Sequence, residues 1–355
     1  MLLYIFVAVW PLIVQYIYKY RPLCVGKNKI NKNKYIILSL IPIFFILAFR
    51  GGTMGADTST YIRQFSNSIN TPLESIIANS RMEIGYLIFV KLITYITHNP
   101  LVYQVICVSF MIYGLYCFLK ELETEDALLF VYFYCTLGVF FFMFTGTRQC
   151  LAMGICLFSY KFLKQNKYLQ FLLCSLLAFY FHKSSVLFIT VLFIYNKKVN
   201  IINIVIYIIF AFLIGRNLES VQQWFNDTLD YTYSLEYTGN GMIFLIVLLA
   251  LSIFSMIMIY NRYGGFNINK NTRILMNINF ITIVFWLMRL QTRIAERPSY
   301  YFIFFSCAFY ANALNSIKNN RDRRLYKIII FSLAMILYIY RLKTNFSILI
   351  PFEFY

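Results

Sequence analysis

Long apolar runs recur along almost the whole chain, and short clusters of basic residues separate them. Because about 20 apolar residues in a helix cross a hydrocarbon core of about 30 Å, runs such as 100–119 and 240–260 predict membrane-spanning helices. Only 13% of the 355 residues are charged, about half the usual fraction in soluble domains. Since lipid offers the backbone no hydrogen bonds, we expect an all-α, polytopic integral membrane helix bundle.

The apolar runs predict about twelve transmembrane helices in a single transmembrane domain covering 1–355, because no polar linker divides the chain. A further apolar stretch, 84–97, contains Lys91 and ends at a His-Asn-Pro sequence, so we expect a re-entrant or interfacial helix there. The first run lacks a preceding basic stretch and a following cleavage site, which predicts a retained span. The candidate spans are 1–19, 35–49, 100–119, 127–146, 149–163, 168–181, 184–195, 199–215, 240–260, 274–290, 299–316 and 327–345.

Basic loops predict the orientation, because cytoplasmic loops of membrane proteins are rich in Lys and Arg. If 84–97 does not cross, both termini and the two long polar segments, 50–83 and 216–239, are external. The net charge of +18 does not indicate nucleic-acid binding, since the basic residues form loop clusters rather than a stripe interleaved with aromatic residues. The cytoplasmic loops then hold 20 of the 32 basic residues, in 19–34, 120, 161–167, 197–198, 262–273 and 318–327.

The first polar constellation runs from Arg50 through three glycines to Asp57 and Tyr61. Arg50 ends a predicted span, so its guanidinium is expected at the outer headgroup level. Glycines let a backbone turn tightly and approach a ligand closely. Asp57 can accept a proton or bind a sugar hydroxyl. The structural alternative is a capped helix exit with a solvated Asp57.

Three further constellations stand at the ends of predicted spans on the same side. Glu83 precedes the re-entrant stretch, where a helix N-terminus favours negative charge, so capping is its structural alternative. Arg148 and Gln149 open a span, and snorkelling to the headgroups is the alternative for Arg148. His182 lies at the tip of a tight apolar hairpin; it can act as a general base near neutral pH or have a structural role.

The densest constellation is Arg289, Arg293, Glu296 and Arg297. If this segment is helical, the three arginines lie at i, i+4 and i+8 on one face. Three guanidiniums on one face repel one another unless an anion lies between them, and Glu296 neutralises only one. Guanidinium groups match phosphate oxygens in geometry, and ionisable groups at membrane depth indicate function.

Metal and cofactor motifs do not occur in the sequence. Its two histidines lie far apart, and there is neither an HExxH motif nor a pair of CxxC motifs, so we expect no bound metal and no cofactor. The eight cysteines lie mostly inside apolar runs. We expect them to pack as small hydrophobic residues rather than to form disulfides.

In order and spacing, these motifs resemble those of the EpsG-type polysaccharide polymerases, which belong with the Wzy-type O-antigen and exopolysaccharide polymerases. The similarity runs from about residue 1 to 310. In this chain Gly-Ala-Asp at 55–57 replaces the more usual Gly-Thr-Asp. The motifs are Arg-Gly…Gly-x-Asp-Thr-x-x-Tyr from Arg50, Glu-x-Gly-Tyr from Glu83, Arg-Gln at Arg148, Phe-His-x-Ser around His182, and Arg…Glu-Arg ending at Arg297.

The resemblance implies a GT-C-like fold and a metal-independent, inverting glycosyltransferase of the bacterial cytoplasmic membrane, with its active site facing the periplasm or exterior. The growing glycan would be transferred from undecaprenyl diphosphate to a new lipid-linked repeat unit. The implied partners are undecaprenyl-diphosphate-linked oligosaccharides, membrane lipids, and a chain-length regulator and a flippase of the same pathway.

The same resemblance, together with the chemistry of each side chain, indicates the expected site residues. Diphosphate binding is expected from Arg50, Arg148, Arg289, Arg293 and Arg297. The base and sugar-binding roles fall to Asp57, Glu83 and His182, with His182 and Asp57 both favoured as the base. Supporting roles are expected for Gln149, Glu296 and Tyr61.

Three other functions are compatible with parts of the sequence. An O-antigen ligase uses the same donor with a different acceptor. A lipid-linked oligosaccharide flippase or other transporter predicts internal repeats and charge along the depth of a cavity, whereas the charge here is concentrated at one membrane face and no repeat is seen. A purely structural membrane subunit leaves the three-arginine segment unexplained.

Overall fold

The computed structural model describes residues 1–20, 31–198, 241–344 and 349–355, two short strands between 24 and 29, and isolated positions between 199 and 240. The predicted span 199–215 and the external segment 216–239 therefore lie largely outside the described residues. The chain divides into two compact units. Unit 1 comprises Met1–Val186 and Ile328–Tyr355, and unit 2 comprises Leu187–Lys327.

Unit 1 is built from helices, with 3-10 helices at Val139–Phe144 and from Lys183 onward. A two-residue antiparallel pair, β1 (Cys24–Val25) with β2 (Asn28–Lys29), joins the first two helices. The α-helices are α1 (Leu2–Tyr20), α2 (Lys32–Ala48), α3 (Thr58–Ser68), α4 (Leu73–Asn79), α5 (Ile84–Thr94), α6 (Pro100–Lys120), α7 (Thr124–Thr136), α8 (Thr147–Lys164) and α9 (Tyr168–Phe181).

Unit 2 contains the helices Met242–Tyr263, Lys270–Arg289 and Ile303–Asn315, with short helices at Val191–Ile194 and Glu296–Ser299. Buried polar side chains join its three longer helices. Asn279 Nδ2 donates to Ser252 Oγ at 3.0 Å, and Tyr310 OH donates to Asn279 Oδ1 at 3.1 Å. Hydrogen bonds of this kind hold helices together in lipid. The last helix, Asn320–Thr344, begins in unit 2 and ends in unit 1.

The polar motifs of unit 1 lie at one end of its helices. Gln104 Nε2, at the start of α6, donates to the carbonyls of Ala48 and Arg50 at 2.9 Å, beside the end of α2. Tyr86 OH and Tyr103 OH are 2.8 Å apart, so α5 also starts at this end. The opposite end carries Lys120 and the pair formed by Lys164 with Glu121.

Helix α5 supports the prediction that 84–97 does not cross. Its 11 residues extend about 16 Å, about half of the hydrocarbon core. Because α5 and the following α6 both start at the same end of unit 1, the chain returns to that end between them.

Several other predicted spans correspond to observed helices, but two do not form as predicted. The span 127–146 is not one helix, because the chain turns at Gly138, which has φ 73°, and continues as a 3-10 helix. The span 184–195 is mostly a 3-10 helix, Lys183–Thr190. By length and composition, five described helices can cross a membrane: Leu2–Tyr20, Pro100–Lys120, Met242–Tyr263, Lys270–Arg289 and Asn320–Thr344.

The outward surface is apolar in the way that lipid requires. In Met242–Tyr263, for example, Ile243, Ile246, Ile253 and Ile257 are all about half exposed or more. Large exposed apolar faces of this kind are rare on soluble monomers. The chain is therefore a multi-pass helical membrane protein.

Candidate functional site

Glu83 is the centre of a buried ionic cluster in unit 1. It lies at the N-cap position of α5, but its side chain makes no hydrogen bond to that helix end. Instead, Oε1 accepts from His182 Nδ1 at 2.9 Å and from the backbone N–H of Lys183 at 3.2 Å. Oε2 forms an ion pair with Nη1 of Arg148. One carboxylate thus holds three polar groups from two distant segments.

The charges around Glu83 decide its protonation state. Burial alone would raise the pKa of Glu83, but the hydrogen bond to His182 and the positive charges of His182 and Arg148 lower this pKa to about 2. The carboxylate is therefore ionised at neutral pH. Because so weak a base accepts a proton poorly, Glu83 is suited to orienting His182 rather than to deprotonating a hydroxyl.

Gly85 explains how α5 brings Glu83 to His182. A Cβ at position 85 would lie 2.7 Å from the carbonyl oxygen of Tyr180, so α5 packs directly against the end of α9. His182 follows α9 immediately in an extended conformation. The close helix approach therefore sets the separation of Glu83 from the imidazole ring.

Arg148 connects the cluster to Tyr61. Its Nε donates to Tyr61 OH at 3.5 Å, and its guanidinium lies 6.0 Å from the centre of the Tyr61 ring. The Tyr61 ring in turn contacts Tyr86 edge-on at 5.8 Å. The Arg148 side chain is 21% exposed, against 4% for Glu83 and 7% for His182. Arg148 is therefore the most accessible charge of the cluster.

The glycine-rich loop before α3 packs against the chain itself. Gly55 has φ 95°, and a Cβ there would lie 2.0 Å from the carbonyl oxygen of Phe144. Thr58 Oγ1 lies 2.8 Å from the same oxygen. Since Phe144 ends the 3-10 helix just before α8, these contacts fix the loop beside the start of Arg148's helix. The backbone at Gly55 thus packs closely against the backbone at Phe144, whereas the sequence predicted that the glycines would let it approach a ligand.

Asp57 stands at the N-cap position of α3 and is half-buried. Its side chain makes no capping hydrogen bond. Within the described part of the chain, no hydrogen bond or ion pair of its carboxylate is found. The carboxylate of Asp57 therefore does not cap α3.

Arg50 does not lie exposed at the headgroup level, as the sequence predicted, because the residue is only 3% exposed. Its Nη1 donates to the Leu47 carbonyl, and its guanidinium lies 5.8 Å from the centre of the Phe144 ring. Burial lowers the pKa of Arg50 to about 10. The guanidinium is thus charged at neutral pH inside the bundle.

The C-terminal segment 349–355 is part of this region, although no motif in the sequence pointed to it. The Gly51 N–H donates to the Glu353 carbonyl at 2.7 Å, and the Tyr355 N–H donates to the Phe49 carbonyl at 2.9 Å. Thr53 Oγ1 also donates to the Glu353 carboxylate at 3.1 Å. The segment therefore holds the start of the glycine-rich loop by backbone pairing.

The arginine segment in unit 2 does not form the continuous helix that would place three arginines on one face. Its long helix ends at Arg289, Thr292 is extended, and a 3-10 turn and a four-residue helix follow. Arg289 is buried, and its Nε donates to Glu296 Oε2 at 2.9 Å. Arg293 and Arg297 are exposed. Glu296 also accepts from Tyr300 OH at 3.0 Å, so one carboxylate contacts both the end of the long helix and the residue after the short one.

Comparison with known proteins gives one decisive match: the family model of EpsG covers residues 33–354. The chain belongs to the EpsG family. This is a family of Wzy-type polysaccharide polymerases, so a role in polysaccharide biosynthesis follows from membership. The match includes every motif residue discussed above and extends to the C-terminal segment. No curated protein and no solved structure matches the chain.

In this EpsG-family chain the structure brings together Glu83, Arg148, His182 and Tyr61, with Asp57 close enough to Tyr61 to affect its pKa. Gln149 is buried in α8 beside Arg148. Arg289 and Glu296 form a separate pair in unit 2. The sequence named Tyr86 only as the last residue of the Glu-x-Gly-Tyr motif. It gave no signal for Tyr103 and Gln104, because a polar group inside an apolar helix carries no motif of its own.

Among the residues that the structure describes, no group of three or more His, Cys, Asp or Glu side chains is arranged to hold a metal ion. The cysteines for which side chains are described are free thiols at 107, 117, 135, 150, 156, 174 and 307.

Replacement of Gly85 by alanine tests the geometry of the cluster. The added methyl group must push α5 away from α9, so Gly85→Ala should cost about 1–3 kcal/mol of unfolding free energy and shorten the polysaccharide made in cells. Gly154→Ala is the matched control, because a Cβ there meets nothing closer than 3.4 Å. Equal effects of the two substitutions on stability and polymer length would contradict the proposed role of Gly85.

The depressed pKa of Glu83 predicts a pH-dependent stability. Because this pKa is about 2 in the folded protein and 4.5 for an unperturbed glutamate, ionised Glu83 stabilises the fold above about pH 4.5, and the contribution is lost as pH falls towards 2. At neutral pH, Glu83→Gln should cost on the order of 3 kcal/mol of unfolding free energy in detergent.

The matched control is Glu121→Gln, which breaks the more exposed pair with Lys164 and should cost less than about 1 kcal/mol. The difference between wild type and Glu83→Gln should shrink as the pH falls from 4.5 towards 2. A difference that is constant over this range would show that the Glu83 carboxylate is not held ionised by its partners.

Proposed function

We propose that this chain polymerises undecaprenyl-diphosphate-linked oligosaccharide repeat units, transferring the growing glycan to a new lipid-linked unit with inversion of the donor carbon. Family membership supports polysaccharide polymerisation in general. The observation that carries the finer proposal is the buried Glu83 carboxylate bound to both His182 and Arg148. This arrangement supplies an oriented base beside a partly exposed guanidinium.

His182 is the base that the geometry favours. An ionised carboxylate only accepts hydrogen bonds, so the 2.9 Å contact with Glu83 requires that Nδ1 of His182 donate. The proton-accepting nitrogen of the neutral ring is then Nε2, and the imidazolium that forms is stabilised by Glu83. Asp57 remains the second candidate, because its carboxylate is half-buried and accepts no hydrogen bond from any residue that the structure describes.

The proposed reaction is a direct displacement. The acceptor sugar hydroxyl loses its proton to the base while its oxygen forms a bond to the anomeric carbon of the donor. The bond from that carbon to the diphosphate breaks, and the lipid diphosphate leaves with the electron pair. Preorganised guanidinium groups stabilise the charge that develops on the leaving group.

Arg148 is the diphosphate ligand that unit 1 supports best, since it is fixed by Glu83 and remains partly exposed. In unit 2, Arg293 and Arg297 are exposed, and we retain them as proposed diphosphate ligands. Arg289 is buried against Glu296, so we propose that it shapes the segment that carries the other two. Charge stabilisation by arginine would let the reaction proceed without a metal ion.

The proposed location is the non-cytoplasmic face of the bacterial cytoplasmic membrane. In unit 1 the cluster and the C-terminal segment lie at one end of the helices, whereas Lys120 and Lys164 lie at the other. Lysine-rich ends face the cytoplasm by the positive-inside rule. The Glu83 cluster then faces the exterior, where we propose that a flippase delivers the lipid-linked units.

An O-antigen ligase and a lipid-linked oligosaccharide flippase are the competing functions, and cellular products distinguish them. Loss of a polymerase leaves single-repeat glycans, loss of a ligase accumulates lipid-linked polymer, and loss of a flippase yields neither. The Wzy-type family membership favours the polymerase.

Reconstitution tests the proposal. Purified protein with a synthetic undecaprenyl-diphosphate-linked repeat unit should produce a ladder of products, with or without a chelator. His182→Ala should slow the reaction by about 10²–10⁴-fold, the usual contribution of a general base. His98→Ala is the matched control, since His98 is the other histidine and is exposed.

Two results would count against parts of this account. Laddering that stops with chelator would contradict the metal-independent reaction. Full activity of His182→Ala would remove His182 as the base and leave Asp57, for which Asp57→Asn is the corresponding variant.

A further inference from the structure

A small cavity in unit 1 lies directly beside the Glu83 cluster. Arg50, Tyr61 and Gln104 border it, together with Val108 and Met111. Tyr61 is shared with the cluster, because its hydroxyl accepts from Arg148. The space holds little more than one group of the size of a water molecule.

Two residues that border the cavity each have a polar atom without a hydrogen-bond partner among the residues that the structure describes. These atoms are Nε of Arg50 and Oε1 of Gln104, and both are buried. The two residues are 3% and 4% exposed. The orientation of the Gln104 amide is fixed, since its Nε2 already donates to the carbonyls of Ala48 and Arg50. Oε1 therefore remains an acceptor, and Arg50 Nε–H remains a donor.

A ligand that satisfies both atoms must accept one hydrogen bond and donate another. A hydroxyl group does both. A phosphate group does not suit the cavity, because its oxygens would be repelled by Gln104 Oε1 and its volume exceeds the space. A buried polar group without a hydrogen bond costs free energy. We therefore expect a group in the cavity that makes hydrogen bonds to these two atoms.

We propose that this cavity is a hydroxyl subsite, which takes one sugar hydroxyl of the lipid-linked substrate through Arg50 Nε and Gln104 Oε1 and holds a water molecule when substrate is absent. The inference rests on the proposed polymerase function and deepens it. It assigns Arg50 to sugar recognition rather than to the diphosphate. The apolar side chains of Val108 and Met111 form part of the remaining wall.

The position of the subsite fits this role. The cavity is also bordered by Thr58, the residue after Asp57, and by Thr147, the residue before Arg148. A hydroxyl bound there would place its sugar ring near Asp57, the second candidate for the base, and near Arg148, the proposed diphosphate ligand. The subsite would thus fix the orientation of a sugar relative to the reacting groups.

The test combines a cavity-filling variant with substrate analogues. Val108→Ile adds one methylene to the cavity wall without removing a polar group, and Val102→Ile makes the same change at an exposed position of the same helix. The substrate is the undecaprenyl-diphosphate-linked repeat unit, isolated from host cells in which the gene for this protein has been deleted. A set of synthetic analogues lacks one sugar hydroxyl each.

For one analogue, kcat/KM with wild-type protein should fall about tenfold relative to the full repeat unit, as expected for one buried hydrogen-bonded hydroxyl. With the full repeat unit, kcat/KM of Val108→Ile should be about tenfold below that of the wild-type protein. Replacing the full repeat unit by that analogue should lower kcat/KM of Val108→Ile by less than about twofold. Val102→Ile should behave as wild type. A high-resolution map of the substrate-bound protein should show the hydroxyl within hydrogen-bond distance of Arg50 Nε and Gln104 Oε1.

Failure of the subsite and failure of the proposed function are distinguishable. If the wild-type protein polymerises the repeat unit but Val108→Ile loses the same factor with every analogue, the subsite is wrong while the function stands. If the map shows a water molecule there with substrate bound, the cavity holds structural water only, and the proposal is overturned. If no repeat unit is polymerised, the proposed function itself fails.

Discussion

The buried carboxylate of Glu83 is the interaction on which the site in unit 1 depends. An ionised carboxylate inside a protein is stable only when positive partners and hydrogen-bond donors surround it. Here Arg148 supplies a charge, His182 a ring N–H, and Lys183 a backbone N–H. Each of these partners is thereby fixed in place. Because the buried carboxylate must be paired, it holds His182 and Arg148 side by side. These are the base and the accessible guanidinium that the proposed reaction uses.

The rest of unit 1 supports this arrangement through close backbone packing. Gly85 lets α5 meet α9, and the loop at Gly55 meets the end of the 3-10 helix before Arg148. The segment around Glu353 then holds the start of that loop. A site built on contacts between helices in lipid can keep its geometry because packing, rather than the hydrophobic effect, holds such helices together. Close packing thus explains how short motifs that are spread over the chain come to lie together.

The sequence could predict most of the individual residues of the candidate site, but it could not predict which of them contact one another. Glu83, Arg148 and His182 are conspicuous because ionisable groups at the ends of apolar runs are rare. The partners of Glu83 are 65 and 99 residues away, and helical periodicity carries no information about which helices meet. The expected three-arginine face failed because the helix ends at Arg289, and Pro298 was a local signal against a long continuation. The break at Gly138 was hidden by the aromatic run that follows it.

The central claim is that Glu83 acts on the reaction through His182, and a double-mutant cycle tests it most directly. Polymerisation rates would be measured for Glu83→Gln, His182→Ala and the double variant in the reconstituted reaction. Residues that act as a unit are not additive. The account predicts that Glu83→Gln slows the wild type strongly but slows His182→Ala by less than about twofold. Independent losses that multiply in the double variant would contradict it.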